Sequence, residues 1–202
     1  MKQRLQWLYR WEYFWLCLLL VATLAMHFSI ITQPSVFILD EEHYVTDARL
    51  ILKGEETQRP EHPPLGKLFI VTGIFLFGDN PFGWRFFSII FGTISIWLFY
   101  LICRRLALSR PASSLATFLL ALDNLSFVQS SVAMLDVFSL TFMLAAFLLY
   151  LQERYLLSGA AVGLSTLAKL YGALALLAIG LHWLFTKRRQ NISQMVMLVL
   201  LA

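Results

Sequence analysis

Two neighbouring carboxylates, Asp40 and Glu41, stand between a long apolar run and a segment with helical character. A carboxylate at such a boundary can act as a general base on a hydroxyl acceptor. The same residues could have a structural role. Asp40 could cap a helix whose first turn holds Glu41 and Glu42, where acidic side chains interact favourably with the positive end of the helix dipole. Taken alone, this pattern favours the cap, and the catalytic role stays open beside it.

Cationic side chains that could bind a phosphate occur at three places further along the chain. His62 and Lys67 frame the run His62-Pro63-Pro64-Leu65-Gly66-Lys67. The two prolines give a rigid start to a short helix, where free backbone amides favour an anion. The alternative is that the prolines only mark the start of a helix, and that Lys67 extends its amine towards water.

Arg85 and Lys169 are the other two candidate phosphate ligands. Arg85 follows Trp84 at the start of an apolar run, where a guanidinium can bind phosphate through two hydrogen bonds or merely extend to the membrane interface. Lys169 lies inside an apolar run without an acidic neighbour, so it requires a partner from another helix or from a ligand.

Three further ionisable residues, His43, Asp123 and Asp136, are assigned supporting roles around this site. For Asp123 and Asp136 the favoured interpretation is helix capping in an external turn. His27 and His182 lie in apolar runs and are expected to form hydrogen bonds between helices. The sequence has no HExxH or similar ligand spacing and no nucleotide-binding fingerprint, so we predict no metal site and no nucleotide donor, although a divalent metal is not excluded.

The composition indicates that the candidate site residues belong to a membrane protein. The 202 residues are 59% hydrophobic and 14% charged, with a net charge of +4, against roughly 25% charged residues in soluble proteins. This excludes a soluble enzyme domain. The basic residues cluster beside apolar runs, as the positive-inside rule requires, so the charge does not indicate nucleic-acid binding. Cys17 and Cys103 are predicted to be packing residues.

Charge distribution and run length together predict a topology with a cytoplasmic N-terminus and an extracytoplasmic site. Residues 34–84 form an acidic external loop, and the apolar stretch 65–77 within it is too short to cross, so it should lie at the interface. The predicted membrane helices are 12–33, 85–103, 112–131, 136–152, 155–168 and 170–186, followed by an incomplete helix at 192–202. We therefore predict an all-α polytopic bundle of six or seven spans, forming one module over 1–202, the front part of a longer protein.

Taken together, these motifs resemble those of the protein O-mannosyltransferase family. The resemblance is carried by Asp40-Glu41-x-His43-Tyr44, the HPPLGK run at 62–67, Arg85 at a helix start, Leu135-Asp136 and Ala168-Lys169-Leu170-Tyr171-Gly172. It covers roughly residues 10 to 186. It implies the GT-C membrane fold and an enzyme that moves a sugar, with mannose favoured, from a polyprenyl phosphate to a hydroxyl group, expected to be Ser or Thr of a protein.

The resemblance also implies roles for individual residues. Asp40 would be the catalytic base and Glu41 would help to position the acceptor, while His62, Arg85 and Lys169 would belong to the donor phosphate region, to which Lys67 is added. The expected partners are the lipid donor, a protein or glycan acceptor and membrane lipids, with an oligomer possible. Two alternatives remain open: a non-catalytic subunit that binds lipid phosphate, and a relative that transfers another sugar to a lipid or cell-wall glycan.

Overall fold

The computed structural model describes the backbone of residues 2–186 and 192–202, and the side chains of 13–186 and 196–202. All regular structure in these ranges is helical, as predicted. The α-helices are α1 Lys2–Ile30, α2 Glu41–Lys53, α3 Pro64–Phe77, α4 Pro81–Arg105, α5 Arg110–Leu122, α6 Asn124–Ser131, α7 Leu135–Leu151, α8 Tyr155–Ala168, α9 Leu174–Thr186 and α10 Ile192–Leu201, with a 3-10 turn at Leu170–Ala173 between α8 and α9.

Within the described residues, two helices are long and apolar enough to cross a membrane. They are the Tyr13–Ile30 part of α1 and the whole of α4, and the bent pair of α5 and α6 would make a third. The segments 64–77, 135–151, 155–168 and 170–186 are apolar but shorter. The helices therefore lie close to their predicted positions, while the number that cross the membrane stays a prediction.

One predicted helix, 112–131, is two helices in the structure. Asp123 has an extended backbone, and its carboxylate accepts a hydrogen bond from Ser126 N at 2.8 Å, which caps α6. The axes of α5 and α6 differ by 58° as a result. The predicted capping role of Asp123 is confirmed, and the physical consequence of the cap is a broken helix in place of a continuous one.

The start of α4 is specified by local sequence. The side chain of Asn80 accepts hydrogen bonds from Phe82 N and Gly83 N at 3.0 and 3.2 Å. Pro81 occupies the first helical position, where its missing amide hydrogen costs nothing. Gly73 allows α3 to approach α4 closely, because a Cβ on it would collide with the carbonyl oxygen of Gly83. The short helix α3 is thereby packed against the first turns of the long helix α4.

Two apolar clusters occupy opposite ends of the bundle. The first joins α2, α3, the start of α4 and the start of α7, with Tyr44, Ile70 and Phe138 among its buried members. The second joins α7, α8, α9 and α10 around Tyr150 and Val162. The predicted external loop is therefore a folded layer on one end of the helices. The expected interhelical hydrogen bonds of the two histidines are confirmed, because His27 Nδ1 lies 2.9 Å from Ser131 Oγ and His182 Nδ1 lies 2.9 Å from Tyr150 Oη.

Candidate active site

A fully buried ion pair between Arg85 and Glu41 joins the starts of α4 and α2. Arg85 Nε and Nη2 donate to the two carboxylate oxygens of Glu41 at 2.8 and 2.7 Å. Both residues have 0% exposure. A bidentate pair of this kind is among the stronger hydrogen-bonded contacts in proteins, and burial makes its loss costly.

The remaining hydrogens of the guanidinium are also occupied by the protein. Arg85 donates to the carbonyl oxygens of Ile31, Gln33, Pro34 and Val36 at 3.0 to 3.2 Å. The segment after α1 thus wraps around Arg85. The expectation that Arg85 binds the donor phosphate does not fit this geometry, because all its N–H groups already have acceptors. Its place beside Trp84 is also not that of a side chain extending to water.

Glu41 is likewise committed to protein contacts. Its Oε2 accepts from Ile38 N at 3.2 Å, and its Oε1 accepts from Ala133 N at 2.9 Å. The carboxylate therefore joins three segments: the linker before α2, the start of α4 and the turn before α7. A carboxylate enclosed in this way is not available to contact an acceptor, so the role expected for Glu41 changes from acceptor binding to support of its neighbour Asp40.

A second buried pair holds Lys67 away from any ligand. Lys67 Nζ lies 2.7 Å from Asp47 Oδ2, and both side chains are at most 2% exposed. The same amine donates to Arg59 O at 2.6 Å, while Asp47 accepts from Gln58 N at 2.9 Å. Lys67 thus joins α2, α3 and the loop between them. Neither expectation for Lys67, phosphate binding or extension to water, matches this position.

Asp136 and Lys169 form a third pair that is open to solvent. Lys169 Nζ lies 2.7 Å from Asp136 Oδ2, with side-chain exposures of 21% and 26%. Tyr171 donates to Asp136 Oδ1 at 3.2 Å. The expectation that Lys169 has a partner on another helix is confirmed. The capping role favoured for Asp136 is wrong, because Met134 occupies the cap position of α7 and the carboxylate faces Lys169.

Tyr44 on α2 lies beside Asp40 and His62, and its backbone N–H donates to Asp40 O at 3.3 Å. Asp40 is exposed and occupies the N-cap position of α2, but its side chain makes no capping hydrogen bond. Burial first, and then the negative charges of Asp136 and Asp40, raise the pKa of Tyr44 to about 12. His62 is half-buried, with its ring 5.4 Å from that of Tyr44 in an edge-to-face contact.

The structure thus divides the predicted site residues into separate groups. Asp136 and Lys169 form an open pair, and Asp40 and His62 adjoin Tyr44, whereas Glu41, Arg85 and Lys67 are internal supports. His43 is half-buried on α2, and Asp123 lies apart at the bend before α6. Sequence reasoning assigned no role to Tyr44 or Tyr171. Their positions offered a signal, because Tyr44 is one helical turn beyond Asp40 and Tyr171 is two residues after Lys169.

A further contact anchors α2 to the segment around the start of α4. Arg49 on α2 donates twice to Asp79, at 2.8 and 3.0 Å, and Trp84 Nε1 donates to the same carboxylate at 2.7 Å. The guanidinium also lies 5.4 Å from the ring centre of Trp84. Among the described residues, no group of three or more His, Cys, Asp and Glu side chains is placed to hold a metal ion.

A sequence model of dolichyl-phosphate-mannose-protein mannosyltransferases matches residues 61–202. A polyprenol-phosphate-mannose protein mannosyltransferase of Mycolicibacterium smegmatis is 36% identical over 129 residues, which are 61% of this chain and 25% of that protein. One from Mycobacterium tuberculosis is 34% identical over 143 residues, 68% of this chain and 27% of that protein. The chain thus matches only about a quarter of the length of these relatives.

The fold is also found in a solved protein. The crystal structure of ArnT from Cupriavidus metallidurans in the apo state superposes with a TM-score of 0.75, covering 93% of this chain and 38% of ArnT at 21% sequence identity. This match confirms the predicted GT-C type of helical bundle, and the chain is an integral membrane protein. With 142 of its 202 residues matched by the family model, the chain belongs to the dolichyl-phosphate-mannose-protein mannosyltransferase family.

Proposed function

We propose that this chain provides the catalytic base and part of the donor site of a glycosyltransferase that moves mannose from polyprenyl-phosphate-mannose to a Ser or Thr hydroxyl of a protein. The observation that carries the proposal is the contrast at Asp40 and Glu41. Glu41 is buried in its ion pair with Arg85, while the adjacent Asp40 is exposed and its side chain accepts no capping hydrogen bond. The names of the relatives supply the donor class and the protein acceptor.

Asp40 acts as the general base in this proposal. Its carboxylate accepts the proton of the acceptor hydroxyl as the oxygen attacks the anomeric carbon of the sugar, and the bond from that carbon to the phosphate oxygen breaks. Such a base has to be held still without losing its free lone pairs. The adjacent Glu41, fixed by its hydrogen bond from Arg85, holds Asp40 in place. The Asp40 side chain accepts no capping hydrogen bond, so its lone pairs are free.

Lys169 and His62 are the proposed ligands of the departing phosphate. The ammonium of Lys169 is partly exposed, so it can bind a phosphate oxygen while it keeps Asp136 as its second partner. Positive charge at this point stabilises the negative charge that develops on the leaving group. Arg85 and Lys67 act at a distance, by holding α2 and α3 in place. Tyr44, which stays protonated at neutral pH, can donate a hydrogen bond beside Asp40.

The proposed orientation places this cluster on the extracytoplasmic side with the N-terminus in the cytoplasm. The positive-inside distribution of Lys and Arg supports it. A cysteine introduced at Thr57, in the loop between α2 and α3, should react with a membrane-impermeant thiol reagent added from outside intact cells. Labelling that requires permeabilised membranes would reverse the orientation.

The proposal is tested by sugar transfer with Asp40→Asn in the membrane-embedded protein, supplied with polyprenyl-phosphate-mannose and a Ser/Thr peptide. Loss of a general base should lower kcat by about 10²- to 10⁴-fold. The matched control is Glu42→Gln, the exposed acidic residue two positions further along. Equal rates for Asp40→Asn and the parent would remove Asp40 from the chemistry, and binding of the donor without any transfer by the parent would favour a non-catalytic subunit.

A further inference from the structure

The open ion pair of Asp136 and Lys169 is backed by a buried contact between the same two helices. Ser139 follows Asp136 by three positions on α7, and Ser165 precedes Lys169 by four positions on α8, so each serine lies on the helix face of its charged neighbour. Ser165 Oγ donates to Ser139 O at 2.7 Å, and Ser139 Oγ donates to Ser165 O at 3.1 Å. Both serines have 0% exposure. The helices are therefore joined by an open ion pair and, about one turn away, by a closed pair of serines.

The serine contact also fixes the backbone of Lys169. The N–H of Lys169 donates at 3.0 Å to Ser165 O, the same oxygen that accepts from Ser139, and the carbonyl of Lys169 accepts from Gly172 N at 2.9 Å. Lys169 is extended, with φ −157° and ψ 136°, and ends α8. The following turn lies directly on the helix, because a Cβ on Gly172 would collide with the carbonyl group of Ser165. The position of Lys169 is thus set at its backbone by Ser165 and the residues that touch it.

The helix α3 closes on the same point from a third side. A Cβ on Gly66, in the HPPLGK run, would lie 2.8 Å from Leu135 Cδ2 and 3.1 Å from Ala168 O. Leu135 and Ala168 immediately precede Asp136 and Lys169 in the sequence, and both have 0% exposure. The residues before each partner of the ion pair are therefore packed under α3, while the charged groups themselves stay open.

The ion pair by itself is a weak means of fixing Lys169. About a quarter of each side chain is exposed, and ion pairs in contact with solvent contribute little to stability. A lysine side chain is also flexible, so its ammonium is placed accurately only if the backbone beneath it is fixed. The serine pair is costly to open, because each hydroxyl would be left buried without a partner. The rigid part of this region is therefore the serine pair.

We propose that Ser139 and Ser165 are positioning residues that set where the Lys169 ammonium meets the donor phosphate. The serine pair fixes the turn at 169–173, which carries Lys169 and also Tyr171, whose hydroxyl donates to Asp136 Oδ1. Without one of the serine hydroxyls the turn loosens, and the donor has to order Lys169 when it binds, which weakens binding. That Lys169 contacts the phosphate rests on the proposed function, whereas the control of the turn by the serines does not.

The first test is amide hydrogen exchange in the membrane-embedded protein, which requires no sugar transfer. Ser139→Ala should speed exchange in the peptide that covers 169–173 about 2- to 10-fold, the effect of one lost hydrogen bond on local opening. The matched control is Ser158→Ala, because Ser158 is also 0% exposed and joins α8 to α7 at the other end, donating to Ala146 O at 2.9 Å. Ser139→Cys nearly keeps the size of serine and replaces Ser139→Ala if that variant unfolds. Unchanged exchange of the turn in the position-139 variant, or equal acceleration in Ser158→Ala, would overturn the proposal.

The second test asks whether Ser139 acts through Lys169. With polyprenyl-phosphate-mannose and a Ser/Thr peptide, Ser139→Ala should raise the donor KM about 2- to 10-fold and leave the acceptor KM unchanged. In a Lys169→Met background the same substitution should have no further effect, because the ammonium that it positions is gone. An equal fold-change in both backgrounds would indicate a general structural effect and overturn the proposal. A donor KM that is unchanged in Lys169→Met would reject the proposed role of Lys169, while the exchange result would still decide whether the serines hold the turn.

Discussion

The candidate site contains two kinds of charged region, and they differ in what surrounds each charge. Around Arg85 and Glu41, every charged atom has protein partners and no exposed surface remains. Around Asp136 and Lys169, the same pairing distance of 2.7 Å occurs with about a quarter of each side chain exposed. Ion-pair distance therefore does not separate a support from a site. The number of hydrogen-bond donors and acceptors left without a protein partner does separate them. By this criterion Lys169 is available to bind a ligand and Arg85 is not.

The largest expected effect is the loss of stability in Arg85→Ala. Removing one member of a buried pair leaves the other charged group without a partner, which costs about 3–5 kcal/mol. Arg85→Lys should recover little, because an ammonium cannot reproduce the bidentate contact with Glu41 and reach four carbonyl groups. Thermal or denaturant unfolding of the solubilised protein measures this.

Arg105→Ala is the matched control for that variant. Arg105 is exposed and donates to Leu151 O at 3.2 Å, so its loss should change stability by less than about 0.5 kcal/mol. If Arg85→Ala kept full stability and raised only the KM for the donor, Arg85 would return to the phosphate site and the contrast between the two regions would fail.

Lys169→Met should give the opposite pattern. The pair with Asp136 is partly exposed, so its contribution to stability is below about 1 kcal/mol. A hydrogen bond to a charged group is worth about 1.5–3 kcal/mol in binding, so the donor KM should rise about 10- to 100-fold. The comparison variant is Lys67→Met, which should mainly destabilise because it leaves Asp47 buried without a partner. Similar stability losses in both variants would contradict the distinction.

Tyr44→Phe should have a smaller effect that is confined to catalysis. A neutral hydrogen bond contributes about 0.5–1.5 kcal/mol, so the transfer rate should fall about 2- to 10-fold without loss of stability. Since the pKa of Tyr44 is raised to about 12, the phenol keeps its proton up to pH 10, and the rate should show no Tyr44-dependent decline between pH 6 and 10. Tyr13→Phe, at an exposed position on α1, is the control. A decline near pH 10 that Tyr44→Phe removes would contradict this assignment.

The smallest effect is expected for Arg49→Ala, which removes an exposed ion pair between α2 and Asp79 in the loop before α4. Both side chains are over a third exposed, so the loss should stay below about 1 kcal/mol. Partial burial favours the neutral form of Asp79, but its hydrogen bonds to Arg49 and Trp84 outweigh this and lower its pKa from the ordinary 3.8.

The direction of that pKa shift sets the pH dependence of the contact. The folded pKa lies below the unfolded one, so the stabilisation is present above pH 4 and is lost as the pH falls through the folded pKa. The stability difference between the parent and Arg49→Ala should therefore be constant from pH 7 to 5 and shrink in stronger acid. A difference that grows in acid would contradict this direction.

Most of the helical layout could be predicted from local signals. The predicted helix 155–168 matches α8, and 136–152 differs from α7 by one residue at each end. Run length, prolines and charge clusters act locally, so they are readable in the sequence. The bend at Asp123 was missed because 112–131 has the length of a single span, and the cap that breaks it depends on one side chain facing Ser126.

The sequence predicted which residues belong to the site, but not which of them are structural supports and which can contact a ligand. Asp40 and Glu41 are adjacent carboxylates, and the sequence does not show which one is enclosed. Arg85 lies 44 positions from Glu41, and Lys67 lies 20 positions from Asp47, so each pair forms only when distant segments meet. Whether a charged group is paired within the protein or free to bind a ligand therefore depends on these long-range contacts.

The sequence by itself determined that this is a helical membrane protein with carboxylates and cations beside its apolar helices, because composition, run length and motif spacing are properties of the chain. Only the tertiary structure decided which of these groups are supports and which are open. The physical reason is that a charge is neutralised by whatever lies within a few ångströms of it, and for Arg85, Glu41 and Lys67 those neighbours come from other segments of the chain.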